Sequence, residues 1–230
     1  MLDLEHMAEP DLIYAIGDVH GCFDKLVRLV EQCQRHCGPR NGRCVYVGDY
    51  IDRGPDSRSV VEMLMEAQLR MPDAVVCLRG NHEAMALTAA RLGGQAEGLW
   101  LMNGGDQTLR SYGVVSARDL PSEHLDWFQS LPLCFDDGRR YFVHAGIDPR
   151  RAIEQQREED QLWIRERFLG YTGAYARFVV HGHTPLQSGR PELRFNRLNI
   201  DTGAVFGGPL TAAVFEASHC EPVDFLTADA

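Results

Sequence analysis

The sequence predicts an α/β fold in which two packed sheets are flanked by helices. Three observations support this. Strand, loop and helix patterns alternate through the first half of the chain, strands dominate the second half, and five apolar runs each end on an Asp, Asn or His. With 230 residues, 44% of them hydrophobic, the chain can bury a sizeable core and is expected to form one domain over 1–230. Its net charge of -10 argues against a nucleic-acid partner, because such proteins neutralise phosphates with a basic face.

Compartment follows from cysteine usage. Seven cysteines, an odd number without any Cys-x-x-Cys pair, read as thiols of a reducing cytoplasm. The start, Met1-Leu2-Asp3-Leu4-Glu5-His6, has neither the basic region nor the apolar stretch of a signal peptide. No run approaches the roughly 18 apolar residues of a membrane span, so a cytoplasmic protein without a membrane partner is expected.

Residues 12–16 read as a short buried strand that exits into Gly17-Asp18-Val19-His20-Gly21, where the glycines permit a sharp turn. Phe23, Leu26, Val27, Val30 and Cys33 then recur at helical spacing, and Gly38-Pro39-Arg40-Asn41-Gly42 ends the unit. The same order repeats. Residues 44–47 form a second strand, followed by the loop Gly48-Asp49-Tyr50-Ile51-Asp52-Arg53-Gly54 and a helix to about Arg70 for which Ser57 is the expected cap. Residues 74–78 form a third strand. It delivers Arg79-Gly80-Asn81-His82-Glu83 to the start of another helix carrying Met85, Leu87 and Leu92.

Between 93 and 132, paired glycines bracket Leu99-Trp100-Leu101-Met102, and Trp127, Phe128 and Leu131 follow. This stretch is expected to be a small helical cap insertion with its own core. From Leu133 the pattern turns to strands: 133–135 and 141–143 flank the hairpin turn Asp136-Asp137-Gly138, and the second of them ends on His144. A charged helical stretch over 154–168 contains Trp163 and Arg165. Residues 178–180 exit to His181-Gly182-His183, and two last strands around 198–201 and 210–215 complete the core.

A lone histidine or Asp-Gly pair says little about chemistry. Five apolar runs ending on Asp18 and His20, Asp49, Asn81, His144 and His183 say more, since function collects at the carboxyl ends of strands in α/β sheets. Oxygen and imidazole donors without thiolate suit two divalent ions, with manganese favoured and iron or zinc possible, rather than a cysteine-based zinc site. Two adjacent dications need a bridging carboxylate, and Asp49 is the candidate. Arg53 and Arg79 would bind phosphate through planar, permanently charged guanidinium groups. His82 would act as general acid, its ring held by Asp52.

In that order, Gly17-Asp18-Val19-His20-Gly21, the Asp49 loop and Gly80-Asn81-His82-Glu83, followed by His144 and His183, resemble the signature of the PPP-type phosphoprotein phosphatases. The resemblance runs from about Leu12 to Val214 and is nearest to the compact bacterial and bacteriophage members. Trp100 to Gly105, Leu162 to Arg167 and Asp201 to Val205 are similar to further landmarks of that branch. It implies a metallophosphoesterase fold, an α/β/β/α sandwich with two mixed sheets and a dinuclear centre. Asp18, His20 and Asp49 would hold one metal; Asp49, Asn81, His144 and His183 would hold the other, with His183 preferred to His181. Arg165 becomes a third phosphate contact, with Arg167 as the fallback.

The implied activity is that of a serine/threonine protein phosphatase, acting on a phosphoprotein or small phosphoester and extending to phosphotyrosine or phosphohistidine. A metal-bridging hydroxide would attack phosphorus in line, and His82 would protonate the leaving oxygen. A symmetrical dinucleoside polyphosphate hydrolase, cleaving diadenosine tetraphosphate, is the alternative enzyme, because the motifs describe the phosphate end and not the leaving group. An inactive phosphopeptide-binding module is the alternative of another class.

Overall fold

A computed structural model describes residues 10–229; the N-terminal stretch read above for a targeting signal lies outside them. Strand β1 (Leu12–Ile16) sets the layers. Its side chains alternate across the pleat: Leu12, Tyr14 and Ile16 join one apolar cluster, while Ile13 and Ala15 join another. All five are buried, so β1 lies between two layers and reads as a continuous apolar run.

The first sheet has the order β10 (Asp224–Ala228), β9 (Leu210–Glu216), β1, β2 (Gly42–Tyr46), β3 (Val75–Cys77). β1, β2 and β3 are parallel, with Ile16 paired to Tyr46, and β9 runs antiparallel to β1. The second sheet has the order β4 (Cys134–Asp136), β5 (Arg140–Val143), β6 (Phe178–His181), β8 (Arg197–Asn199), β7 (Glu192–Leu193). β5, β6 and β8 are parallel, and β4 and β7 are antiparallel edges.

Ile13, Ala15, Val45, Phe142, Val180, Leu198 and Phe215 fill the space between the sheets. On the outer face of the first sheet lie α1 (Phe23–Cys37), α2 (Ser57–Arg70) and α3 (Asn81–Leu92), with Leu26, Leu29, Val60, Leu64 and Ala86 buried. Against the outer face of the second sheet, Ile164 and Phe168 pack on Tyr141, Val143 and Val179. The result is a mixed α/β fold with two mixed sheets layered between helices, as the sequence predicts.

Four details differ from expectation. Asp56 rather than Ser57 caps α2, its carboxylate accepting the Ser59 N–H at 3.2 Å, while Ser57 is buried inside the first turn. The stretch 93–132 does fold into helices, α4 (Gly94–Trp100), α5 (Asp106–Tyr112) and α6 (Ser122–Ser130). It has no core of its own: Trp100, Leu109, Tyr112 and Phe128 continue the cluster of Leu26, Val60 and Leu64. The charged helix over 154–168 is split into α7 (Glu158–Trp163) and α8 (Glu166–Leu169). Arg165, at φ -132° and ψ -99°, breaks it, and the break lets Leu162, Ile164 and Phe168 all be buried. Finally, β7 and β10 were not legible, because both are edge strands with half-exposed residues and no clean alternation.

Just beyond β1 the backbone meets the chain leaving β8. A Cβ at Gly17 would run into the Ile200 carbonyl on the chain leaving β8. Gly17→Ala therefore forces the two strand ends apart, and overpacking of this kind costs about 1–3 kcal/mol. A lowered urea midpoint with an unchanged slope is the expected result; a midpoint equal to wild type would show that the backbone there yields freely.

Candidate active site

The carboxyl ends of six parallel strands face one another across the two sheets. β1 leads to Asp18, β2 to Asp49, β3 to Asn81, β5 to His144, β6 to His183 and β8 to Asp201, all of them buried. His144 Nε2 and His183 Nδ1 each lie 2.8 Å from Asn81 Oδ1 and 3.2 Å from one another. Asp49 Oδ1 is 3.4 Å from His144 Nε2, and Asp49 Oδ2 is 3.4 Å from His20 Nε2. Two donor groups, His20–Asp49–His82 and Asp49–His144–His183, thus share Asp49. Asp18 stands beside them, its carboxylate accepting the His183 N–H at 3.0 Å.

Among the described residues, every non-glycine with positive φ belongs to this cluster: His20 (44°), Asp49 (55°), Asp52 (74°), Arg53 (66°) and His183 (67°). Such conformations cost of order 1–3 kcal/mol each and persist only where neighbours over-determine them. The neighbours are visible. The Val19 and His20 amides donate to the Asp49 carbonyl at 3.0 and 2.9 Å, and the Gly21 amide donates to the Tyr50 carbonyl at 2.8 Å, so the first loop is pinned to the second. Glu83 accepts the N–H groups of Asp49 (3.0 Å), Gly80 (2.9 Å) and Tyr50 (2.8 Å), locking the second loop to the third.

Imidazole orientation is fixed from behind. His20 Nδ1 donates to the Ile51 carbonyl at 2.8 Å and His144 Nδ1 to the Val47 carbonyl at 2.9 Å, leaving both Nε2 lone pairs facing inward. Burial holds His144 low and takes His20 down to about 3, so these rings are neutral. Burial alone would raise Asp49, but interaction with the surrounding histidines, His144, His82, His20 and His183, outweighs it and lowers the carboxyl. Asp18 is raised by burial and by the charges of Asp201 and Asp49, and burial lifts Asp201 to about 6. Asn81 Oδ1, His144 Nε2 and His183 Nδ1 crowd within 3.2 Å of one another, an arrangement that needs a shared proton or a cation between them. The donor set therefore fits metal ions.

His82 is oriented by a relay. Its Nδ1 lies 2.6 Å from Asp52 Oδ2, which also accepts the Trp100 indole N–H at 2.8 Å, while Asp52 Oδ1 accepts the Thr108 hydroxyl at 2.6 Å. Burial pulls His82 down, yet the Asp49 and Asp52 carboxylates prevail and raise it. Arg53 Nη1 donates to His20 Nε2 at 2.7 Å and Nη2 to His82 Nε2 at 2.8 Å, so its guanidinium caps the outer edge of the His20–Asp49–His82 group. Arg165 Nε lies 3.2 Å from His183 Nε2. Arg79 is turned toward Glu158, with Nη1 3.6 Å from that carboxylate and a buried Nε that has no partner among the described residues. Arg167 pairs with Asp148 at 2.9 Å and with Asp160, away from the cluster. His181 packs on Phe168 at 4.9 Å between centroids and its Nδ1 faces the Gly182 carbonyl.

Sequence reasoning assigned no role to Glu83, Trp100, Thr108 or Asp201. Glu83 and Asp201 sit inside motifs already singled out, so position within the motif was an available signal. Trp100 and Thr108 lie 48 and 56 residues from Asp52, and no local pattern links them. The stretch 93–132 is a buttress behind Asp52 and Arg53 rather than a lid: Trp100 is fully buried, and the Gly104 carbonyl accepts the Arg53 N–H at 3.0 Å.

Comparison with known proteins follows this geometry. A serine/threonine-protein phosphatase 1 from Salmonella typhimurium is 36% identical over 211 residues, covering 87% of this chain and 90% of the relative. A symmetrical bis(5'-nucleosyl)-tetraphosphatase from Dechloromonas aromatica is 34% identical over 145 residues, 63% of this chain but only 47% of the relative. The crystal structure of a cold-active protein-tyrosine phosphatase from a psychrophilic Shewanella superposes with a TM-score of 0.67 at 17% identity, covering 96% of this chain and 81% of that one. The family model for calcineurin-like phosphoesterases matches residues 12–208, and the chain belongs to that family.

Proposed function

We propose that the chain is a dinuclear-metal-dependent phosphomonoesterase of the bacterial serine/threonine protein phosphatase branch. The observation that carries this reading is the position of Asp49, one buried carboxylate shared by two donor groups. The Salmonella relative, similar over 90% of its own length, supports the protein-phosphatase assignment. The Dechloromonas relative supports the second reading, hydrolysis of dinucleoside polyphosphates, over a shorter span. Free thiols throughout the described residues fit a reducing, cytoplasmic setting.

Asp18, His20 and Asp49 would hold one ion, and Asp49, Asn81, His144 and His183 the other. Donor atoms 2.8–3.4 Å apart would let carboxylate, amide and imidazole groups share a divalent ion, and that donor set suits manganese first, with iron or zinc possible. Such a pair supplies a water activated as nucleophile near neutral pH and neutralises charge on the phosphoryl group. The protein's own groups do the rest. Arg53 and Arg165 bind and orient phosphoryl oxygens, and Arg79 reaches the same group on leaving Glu158. When His183 Nδ1 presents its lone pair inward, the ring proton sits on Nε2, which then cannot accept from Arg165; the guanidinium is freed for substrate. Once Arg53 leaves His82 Nε2 for a phosphoryl oxygen, that nitrogen would hold a proton for the departing oxygen, with Asp52, Trp100 and Thr108 fixing the ring.

Asp49→Asn should abolish turnover with the circular dichroism unchanged, and elemental analysis should find less than the two metals per chain expected of wild type. Near-normal activity would exclude the bridging role. Chelation should remove activity, and added manganese should restore it while raising the melting temperature, since a ligand that binds only the folded state stabilises it. Arg165→Ala should lower kcat/KM by about ten- to a hundredfold, the worth of a charged hydrogen bond, whereas Arg167→Ala should stay within about twofold. Equal losses in both would mean that Arg165, too, is only structural. Rates on a phosphoserine peptide and on diadenosine tetraphosphate, both with manganese, separate the two substrate readings.

A further inference from the structure

Phe206 is an aromatic ring left in solvent beside the arginine proposed to bind phosphate. It is 64% exposed, and the Arg53 guanidinium carbon lies 5.5 Å from its ring centroid. The same guanidinium touches His20 and His82, so the ring borders the place where a phosphoryl group would be held. A single exposed phenylalanine needs no explanation by itself. The mounting of this one is another matter.

Phe206 ends a one-turn helix, Ala204–Phe206, bracketed by Gly203 (φ 72°) and Gly207 (φ 93°) in left-handed conformations. The Gly203 carbonyl accepts the amides of Phe206 at 2.9 Å and Gly208 at 3.0 Å. From α1, the buried Lys25 ammonium donates to the Ala204 carbonyl at 2.9 Å and the Gly208 carbonyl at 2.7 Å, gripping the turn on both sides of the ring. The Thr202 hydroxyl bonds the Pro209 carbonyl at 2.6 Å and closes the base. Taking an ammonium out of water is costly unless its hydrogen bonds are replaced, so a buried lysine devoted to this turn is a strong constraint on it. The outcome is a ring that is exposed and yet held in place.

Beside the ring opens a cavity of about 910 Å³, lined by Gln187, Ser188, Arg190, Gly203 and Gly207 among others. That volume is in the range of small-molecule sites, roughly 300–1,000 Å³. An arginine for phosphate, a fixed ring beside it and open space next to the ring suit an ester whose phosphate carries a flat group. Ring pairs gain most when one partner is already immobile, because less side-chain freedom is lost on contact.

We infer that Phe206 is a specificity-determining residue, a fixed platform that stacks a flat aromatic group of the substrate while Arg53 holds the attached phosphate. Lys25 is its positioning residue. The inference rests on the phosphoesterase reading and adds to it a preference for leaving groups that contain an aromatic ring, whether a tyrosyl side chain or a nucleobase.

The test compares wild type, Phe206→Leu and Phe206→Tyr, each loaded with manganese. Four substrates are used: phenyl phosphate, a phosphotyrosine peptide, diadenosine tetraphosphate, and the same peptide carrying phosphoserine. Phe206→Leu should lower kcat/KM roughly three- to tenfold on an aromatic substrate and leave the phosphoserine peptide within about twofold, with Phe206→Tyr restoring the rate. Loss on the phosphotyrosine peptide and phenyl phosphate assigns the tyrosyl ring, and loss on diadenosine tetraphosphate assigns the nucleobase. Equal changes on all four substrates, or none on any aromatic one, would overturn the platform. Wild-type protein inert toward all four would instead sink the phosphoesterase reading. Calorimetry then decides separately: Phe206→Leu should weaken binding of phenylphosphonate but not of methylphosphonate, and equal binding in both proteins overturns the inference.

Discussion

A carboxylate buried at Asp49 cannot remain ionised without positive partners, and that requirement organises everything around it. Its oxygens lie 3.4 Å from His20 on one side and 3.4 Å from His144 on the other. Burial keeps two of the imidazoles that face it, His20 and His144, neutral, whereas the Asp49 and Asp52 carboxylates raise His82. Neutral imidazoles with their lone pairs aimed inward and an ionised carboxylate are the protonation states that metal ligation demands. Arg53, the guanidinium nearest this arrangement, lies at its rim rather than at its heart.

Holding that geometry requires strain, and the strain is spread over a few residues. Five side-chain-bearing residues adopt left-handed backbone in loops that would relax if left alone. Glu83 collects three amides from two loops, although burial, with the nearby Asp49 charge adding to it, pushes its carboxyl up to about 7. Asp52 draws on Trp100 and Thr108, which brings the helices of 93–132 into the support of the site. Rigid support of this kind allows a general acid and a phosphate-binding arginine to act without first paying for their own ordering.

On the proposed reading, metal ligands and leaving-group contacts come from different parts of the chain. The strand ends supply the donors and therefore the phosphate chemistry. Around them stand two exposed rings that do not come from those strand ends: Phe206 on the turn after β8, and Trp163, 44% exposed, whose ring stands edge-on to His183 at 6.2 Å. Relatives named as a serine/threonine-protein phosphatase and as a bis(5'-nucleosyl)-tetraphosphatase are both similar to this chain, so family membership alone does not name the leaving group.

The sequence by itself determined the alternating layers, the two sheets and the residues that close on Asp49. Each of these was written locally, as an apolar run of strand length followed by a polar turn. By resemblance it preferred His183 to His181; in the structure His183 faces Asn81 and His144, while His181 packs on Phe168. Only the tertiary structure decided that Arg167 belongs to Asp148, that 93–132 shares the main core, that 154–168 breaks at Arg165, and that β7 and β10 close the sheet edges. Nor could the sequence join Trp100 and Thr108 to Asp52, or Lys25 to the turn beneath Phe206 across 179 and 183 residues. Periodicity reports only which face of an element is apolar. Which distant polar atom satisfies a buried donor depends on how the elements pack, and that is settled when the layers come together.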